Sequence, residues 1–170
     1  MRTAVKARSS WQFLAAGLAL AAASGGAVAR TASERVVYSF QGGAKGDGLS
    51  PTTLSSAGGT LFGTTYEGGT ATGRGEQGHG TVYSLTPDGK ESVLYRFAGA
   101  TDGIHPTAAP LDVDGTLYGT TASGGLYDEG AAYRLLPDGT EQIIYSFGAL
   151  PDTADGAEPY GALIQVNGLL

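Results

Sequence analysis

The sequence contains no cysteine among its 170 residues. That absence excludes disulfide scaffolds, thiolate-ligated zinc, iron–sulfur clusters, thiol nucleophiles and lipoprotein acylation. Positive charge is also scarce, with 10 basic residues against 16 acidic ones and a formal net charge of −6. A chain of that sign repels a phosphate backbone, so no nucleic-acid partner is expected. Apolar runs are confined to the first 29 residues, and nothing after them is expected to span a bilayer. Glycine, by contrast, is plentiful: 29 of 170 residues, about 17% where roughly 7% is usual. Helix interiors tolerate glycine and proline poorly, which argues against a mostly helical protein. The glycines keep no three-residue period, which excludes collagen.

The amino terminus reads as an export signal. Arg2, Lys6 and Arg8 precede an alanine-rich apolar run from Trp11 to Ala23, and small residues follow, ending in Ala27-Val28-Ala29. Charged start, short apolar middle and A-x-A exit describe a secretory signal peptide over residues 1–29, cleaved after Ala29. The run is shorter than the roughly 20 residues a membrane anchor requires. Residues 30–170 would form the mature chain, with a formal charge of −9. The expected location is periplasmic, extracellular or at the cell surface.

The mature region repeats itself. Glu34 to Phe40 reads ERVVYSF, Glu91 to Phe97 ESVLYRF, and Glu141 to Phe147 EQIIYSF. An Asp-Gly-x-x-Pro turn follows each, at Asp47 to Pro51, Asp102 to Pro106 and Asp155 to Pro159. Leu61 to Thr65 (LFGTT) matches Leu117 to Thr121 (LYGTT), each trailed by a Gly-Gly pair. Gly80 to Gly89 (GTVYSLTPDG) matches Gly130 to Gly139 (GAAYRLLPDG). Counted from the aromatic motif, the units are residues 34–90, 91–140 and 141–170, the last incomplete.

Each unit spells short strands. Val93, Tyr95 and Phe97 alternate with Leu94 and Arg96, and the same alternation recurs over Val36–Phe40 and Ile143–Phe147. A period of two in β-branched and aromatic residues predicts a strand in all three copies, with those residues on one face. Pro-Asp-Gly at 87–89 and 137–139 predicts a tight hairpin, because proline presets φ, aspartate bonds its own backbone and glycine accepts positive φ. LYGTT is a third strand, its glycine marking a bulge or close approach. A weaker fourth is expected near Ala109–Val113 and Ala162–Val166. Four short antiparallel strands in about 50 residues predict an all-β chain of partial β-propeller-like blades, with a β-solenoid as the alternative.

LYGTT-x-x-GG, then G-x-x-Y-x-L-x-PDG and an aromatic Y-x-F strand, together resemble the GloVer tandem repeat of exported bacterial proteins. The resemblance covers residues 34–170 and implies extracellular multi-repeat architecture without implying any activity. No surface-sorting tail is found. Aligned on its predecessor, Asn167-Gly168-Leu169-Leu170 stands where Asp114-Gly115-Thr116-Leu117 stood, so the chain reads as stopping inside a repeat. That predicts a partial chain, or one that self-associates through open repeat ends.

Chemistry is sparse. Gly73 to Gly78 matches GxGxxG by letter but lacks the strand, helix and βαβ context of a nucleotide site. Asp112-Val113-Asp114-Gly115 hints at a calcium loop, yet the carboxylates do not recur and the remaining ligand positions are missing. His79 and His105 fall at non-equivalent places in the motifs and read as solvated loop residues. Glu34, Glu91 and Glu141 read as exposed strand-end charges, whereas a glycosidase aims two carboxylates at one bond.

Thr64-Thr65 and Thr120-Thr121 are the least ordinary recurring polar residues. Their functional reading is a ring of ligand-facing hydroxyls at a propeller mouth, with Tyr66 and Tyr127 offering sugar-stacking faces. Their structural reading is ordinary strand propensity. No catalytic residue, cofactor or metal is expected. The sequence therefore predicts a secreted, non-catalytic scaffold or binding module for an extracellular polysaccharide or protein. The alternative is a piece of a propeller-fold glycan-active hydrolase or lyase.

Overall fold

The computed structural model describes residues 34–42, 46–69, 78–151 and 154–170. The signal segment, the Ala29 cleavage position and nearly all of the Gly73–Gly78 loop lie outside the described residues. Among the described residues there is no helix long and apolar enough to cross a membrane.

The chain is all-β. A first sheet runs β1 (Leu49–Ala57), β2 (Thr60–Glu67), β3 (Thr81–Leu85) and β4 (Glu91–Arg96), in that spatial order. A second contains β5 (Ile104–Pro106), β6 (Leu111–Val113), β7 (Thr116–Ser123), β8 (Ala131–Leu135) and β9 (Glu141–Ser146). Both β5 and β6 pair with β7, so they are two halves of one edge strand, and β7, β8 and β9 follow in order. Pro106 and Pro110 bound the break; lacking N–H groups, they cannot continue the ladder. In β1 the register slips at the matching place, between Pro51 and Leu54. All pairings are antiparallel. Each sheet is thus a four-position meander, the blade-like arrangement, rather than the parallel coils of a β-helix.

Local chemistry accounts for the turns. In both Pro-Asp-Gly hairpins the glycine N–H closes the turn, Gly89 onto Thr86 O and Gly139 onto Leu136 O, each at 2.9 Å. Both glycines hold positive φ, 91° and 85°, a region open to glycine at no steric cost. Gly119 pairs with Tyr133 across β7 and β8, and a Cβ there would lie 2.4 Å from the tyrosine hydroxyl. Gly63 stands in the same relation to Tyr83 at 2.5 Å. The strand glycine therefore marks a close approach, with the neighbouring tyrosine laid across it.

Three sequence expectations are corrected. Val82 pairs with Tyr95 and Tyr83 with Val93, leaving Leu94 as an extra residue; Ile144 is the matching extra in β9. Adjacent residues of β3 face opposite ways, so this bulge puts Val93 and Tyr95 on opposite faces rather than one. The first aromatic copy, Glu34–Phe40, is not a strand. Strands β4 and β9 pair with the strand before their Pro-Asp-Gly hairpin, and no such hairpin precedes Glu34 in the sequence. In the third unit, Ala162–Val166 likewise forms no strand beyond a Val166–Leu169 bridge.

The core joins the two sheets. Val82, Phe97, Leu117, Tyr133 and Leu135 are buried together, with Phe62, Leu94, Tyr95 and Ile143 packed around them. The rings of Phe97 and Tyr133 meet edge-to-face at 5.2 Å, and Phe40 meets Tyr83 in the same way at 4.9 Å.

Candidate functional site

The repeated polar residues converge on the boundary between units. Tyr38 donates its hydroxyl to Asp47 at 2.8 Å, Tyr95 to Asp102 at 2.6 Å and Tyr145 to Asp155 at 2.7 Å. The same aspartates accept backbone N–H groups just past the aromatic motif, from Gln41, Ala98 and Ala149. The recurring Asp-Gly-x-x-Pro turn is therefore a clamp that fastens the aromatic motif before it. Burial first, and then the aspartate partner, raise the Tyr38 and Tyr95 hydroxyls far above the ordinary phenol range.

Glutamates from the following unit complete two of the clamps. Glu91 accepts the Tyr38 hydroxyl at 3.4 Å beside Asp47, and Glu141 lies near the Asp102 carboxylate. These are not the freely exposed strand-end charges anticipated from the turn. Burial first, then the Asp102 carboxylate, push Glu141 up to about 8. Burial, then Asp47, raises Glu91 in the same direction.

The threonine pairs take their structural reading. Thr64, Thr65, Thr120 and Thr121 are all buried. Thr64 donates across the boundary to Ala108 O at 3.2 Å, and Thr120 to Gly161 O at 3.0 Å. Thr65 and Thr121 donate to Glu67 O and Ser123 O. The hydroxyl ring considered for ligands is thus turned inward, because the threonines stand where strand packing and inter-unit carbonyls meet. Tyr66 and Tyr127 are not brought together: Tyr66 stacks on His105, whereas Tyr127 is exposed on the loop after Gly125.

The unlike residues collect at one rim of the boundary. The His105 N–H donates to His79 O at 3.0 Å, and the Tyr66 ring lies 4.2 Å from the His105 imidazole at an interplanar angle of 3°. Burial lowers the His105 pKa, partly opposed by the Glu67 carboxylate. Sequence spacing scattered these residues; the fold joins them because His79 stands two residues before β3, and His105 sits inside the clamp turn. At the next boundary Glu158 N–H donates to Glu129 O at 2.8 Å, the equivalent backbone bond between different side chains. Ser50, His105 and Glu158 all hold positive φ there, 53°, 59° and 47°. The motif alignment contains this equivalence, but only the backbone bond reveals it.

Other candidates resolve simply. Asp112 accepts the Gly115 N–H at 3.2 Å, which makes its loop a capped turn. No cluster of three or more metal-ligating side chains occurs among the described residues. A cavity of about 260 Å³ opens between the sheets, lined mainly by Phe62, Leu94, Leu117, Leu135 and Pro137. It is a gap in the inter-sheet core bordered by the second Pro-Asp-Gly turn. In comparisons with known proteins, the family model described as the Gloeobacter/Verrucomicrobia repeat matches residues 29–170. No curated protein and no solved structure matches.

Proposed function

Because the chain belongs to the Gloeobacter/Verrucomicrobia repeat family, we propose that it is an exported, non-catalytic repeat scaffold that presents a variable rim to an extracellular polysaccharide or protein. The observation that carries this reading is the pair of equivalent rim bonds, His105 to His79 and Glu158 to Glu129. The backbone is repeated there while the side chains change from imidazoles to carboxylates. Residues that recur are spent on holding unit to unit: tyrosine to aspartate, threonine to carbonyl. Side chains that differ stand where loops meet, the usual place for recognition on a rigid β framework. Tyr66 and His105 offer a stacked, partly exposed aromatic surface suited to a sugar face, and Tyr127 and Tyr160 add exposed rings further along.

A panel of soluble polysaccharides tests the reading by calorimetry together with an assay for released reducing ends. Saturable binding without release, weakened in Tyr66→Ala and His105→Ala, is the expected result. Release of reducing ends over time would replace this reading with a glycan-active enzyme. A response to no polysaccharide would leave a protein ligand or pure scaffolding as the role.

A further inference from the structure

The two unit boundaries share a backbone but not the side chains laid on it. The motif alignment sets Ala122 against Tyr66, Ser123 against Glu67, Glu129 against His79 and Glu158 against His105. Beneath them the frame repeats: Thr65 donates to Glu67 O and Thr121 to Ser123 O. A Cβ on Gly99 would meet the His79 imidazole, and one on Gly148 the Glu129 side chain. Of the two boundaries, the first carries an aromatic pair, Tyr66 and His105, stacked at 4.2 Å with 3° between their planes. Both rings are half-buried, each with one face against the other and part of its surface in solvent. At the second boundary those two places hold a buried methyl group and a carboxylate.

The charge around that pair is of one sign. Burial lowers the His105 pKa, so its imidazole is an uncharged ring at neutral pH. The Glu67 carboxylate lies within electrostatic reach of the same imidazole. The described cations are engaged or placed elsewhere. Arg96 donates to Gly46 O in the preceding turn and Arg134 to Gln142 in the second sheet. Lys90 and the segment holding Arg35 lie by the Pro-Asp-Gly turn at the far end of β3. A flat aromatic face packs on the C–H face of a pyranose, and a carboxylate beside it repels a ring that carries its own negative charge. Resting on the polysaccharide reading above, we infer that Tyr66 and His105 form a subsite for one uncharged sugar ring of a neutral polysaccharide, and that Glu67 keeps out uronate and sulfated units. Specificity at this rim then comes from one repulsive residue, which the second boundary replaces with Ser123.

Calorimetry with dextran and dextran sulfate, which share a backbone and differ in charge, tests this at about pH 8 and about 0.15 M salt. An imidazole is uncharged at that pH, and charges farther than about 8 Å are screened. Hydroxyethyl cellulose and carboxymethyl cellulose form a second such pair. The neutral member of at least one pair should bind at least about tenfold more tightly than its charged partner. Tyr66→Leu, which keeps apolar bulk without the flat ring, should weaken that binding at least about tenfold. Glu67→Gln should cut the preference for the neutral member roughly fivefold. The net charge of −6 repels any polyanion, so this last change separates Glu67 from the charge of the whole chain. Melting temperatures within about 3 °C of the unsubstituted chain separate lost stacking from lost fold. Should Tyr66→Leu not fold, the Glu67→Gln comparison decides alone. Tighter binding of the charged member, neutral binding undiminished in Tyr66→Leu, or a preference unmoved by Glu67→Gln would each overturn the inference while leaving a polysaccharide-binding module. Binding of none of the four would overturn it as well, and silence of the wider panel would remove that module too.

Discussion

The Tyr95 hydroxyl donates to the Asp102 carboxylate at 2.6 Å, tying the last strand of the first sheet to the turn that opens the second. Asp102 also accepts the Ala98 N–H, and Glu141 of β9 lies near it. Removing the hydroxyl leaves a partly buried carboxylate short of a donor, so Tyr95→Phe should cost about 1–2 kcal/mol. Tyr145→Phe removes the same bond to Asp155 on an exposed surface, where water replaces it. Urea unfolding should therefore show a clear drop in midpoint for the first substitution and almost none for the second. Equal drops would mean that the clamp does not act through its burial.

Glu141 supplies a pH dependence opposite to that of an ordinary paired carboxylate. Its folded pKa is raised to about 8 from 4.5, so between those values the folded chain holds a proton that the unfolded chain releases. Stability is then fully present below about 4.5 and is lost as pH rises toward 8. Glu91 shifts in the same direction and adds to the slope. The group is only half-buried, so screening reduces the effect to about 1 kcal/mol, a fall in melting temperature of roughly 3 °C. Glu141→Gln mimics the protonated form and should flatten the melting temperature between pH 5 and 8, within the range set by those two pKa values. An unchanged slope would mean that Glu141 does not carry the pH dependence.

Much of this fold was legible because turn chemistry is local. Pro-Asp-Gly fixes its own dihedrals, and both hairpins appear where the sequence placed them. Strand faces were less legible, since the Leu94 and Ile144 bulges depend on how β4 and β9 meet their partners rather than on their own pattern. The strand signal at Glu34–Phe40 failed for a related reason: a strand needs a neighbour, and that segment carries the pattern without the hairpin that would supply one. The rim was hidden because His79 and His105 meet only once the clamp turn of one unit docks on the strand start of another. The threonine pairs were visible as a repeat, but burial alone separates a packing role from a binding one.

Tyr133 tests how closely the β7 glycine is matched to its neighbour. Its hydroxyl is buried without a hydrogen-bond partner among the described residues, and it lies against the position a Gly119 Cβ would take. Tyr133→Phe removes an unsatisfied polar atom and should be neutral or stabilising by up to about 1 kcal/mol. Gly119→Ala forces ring and strand apart and should cost about 1–3 kcal/mol. Chemical denaturation of both variants and of the double variant measures the coupling. Strong destabilisation by Tyr133→Phe would reveal a water or partner at that hydroxyl.

Thr64 and Thr120 make the same inter-unit bond in different surroundings, and Thr64 Oγ1 also meets Thr52 Oγ1 at 2.6 Å. Thr64 reaches Ala108 O inside the completed boundary, where Ala108 is buried; Thr120 reaches Gly161 O on the open third unit, where Gly161 is exposed. Valine keeps the shape and deletes the donor. Thr64→Val strands a buried carbonyl and should cost about 1–3 kcal/mol, whereas Thr120→Val should cost less than about 1 kcal/mol because water reaches the carbonyl. Chemical denaturation of both variants measures the difference, and equal penalties would mean that burial of the accepting carbonyl does not set the value of the bond.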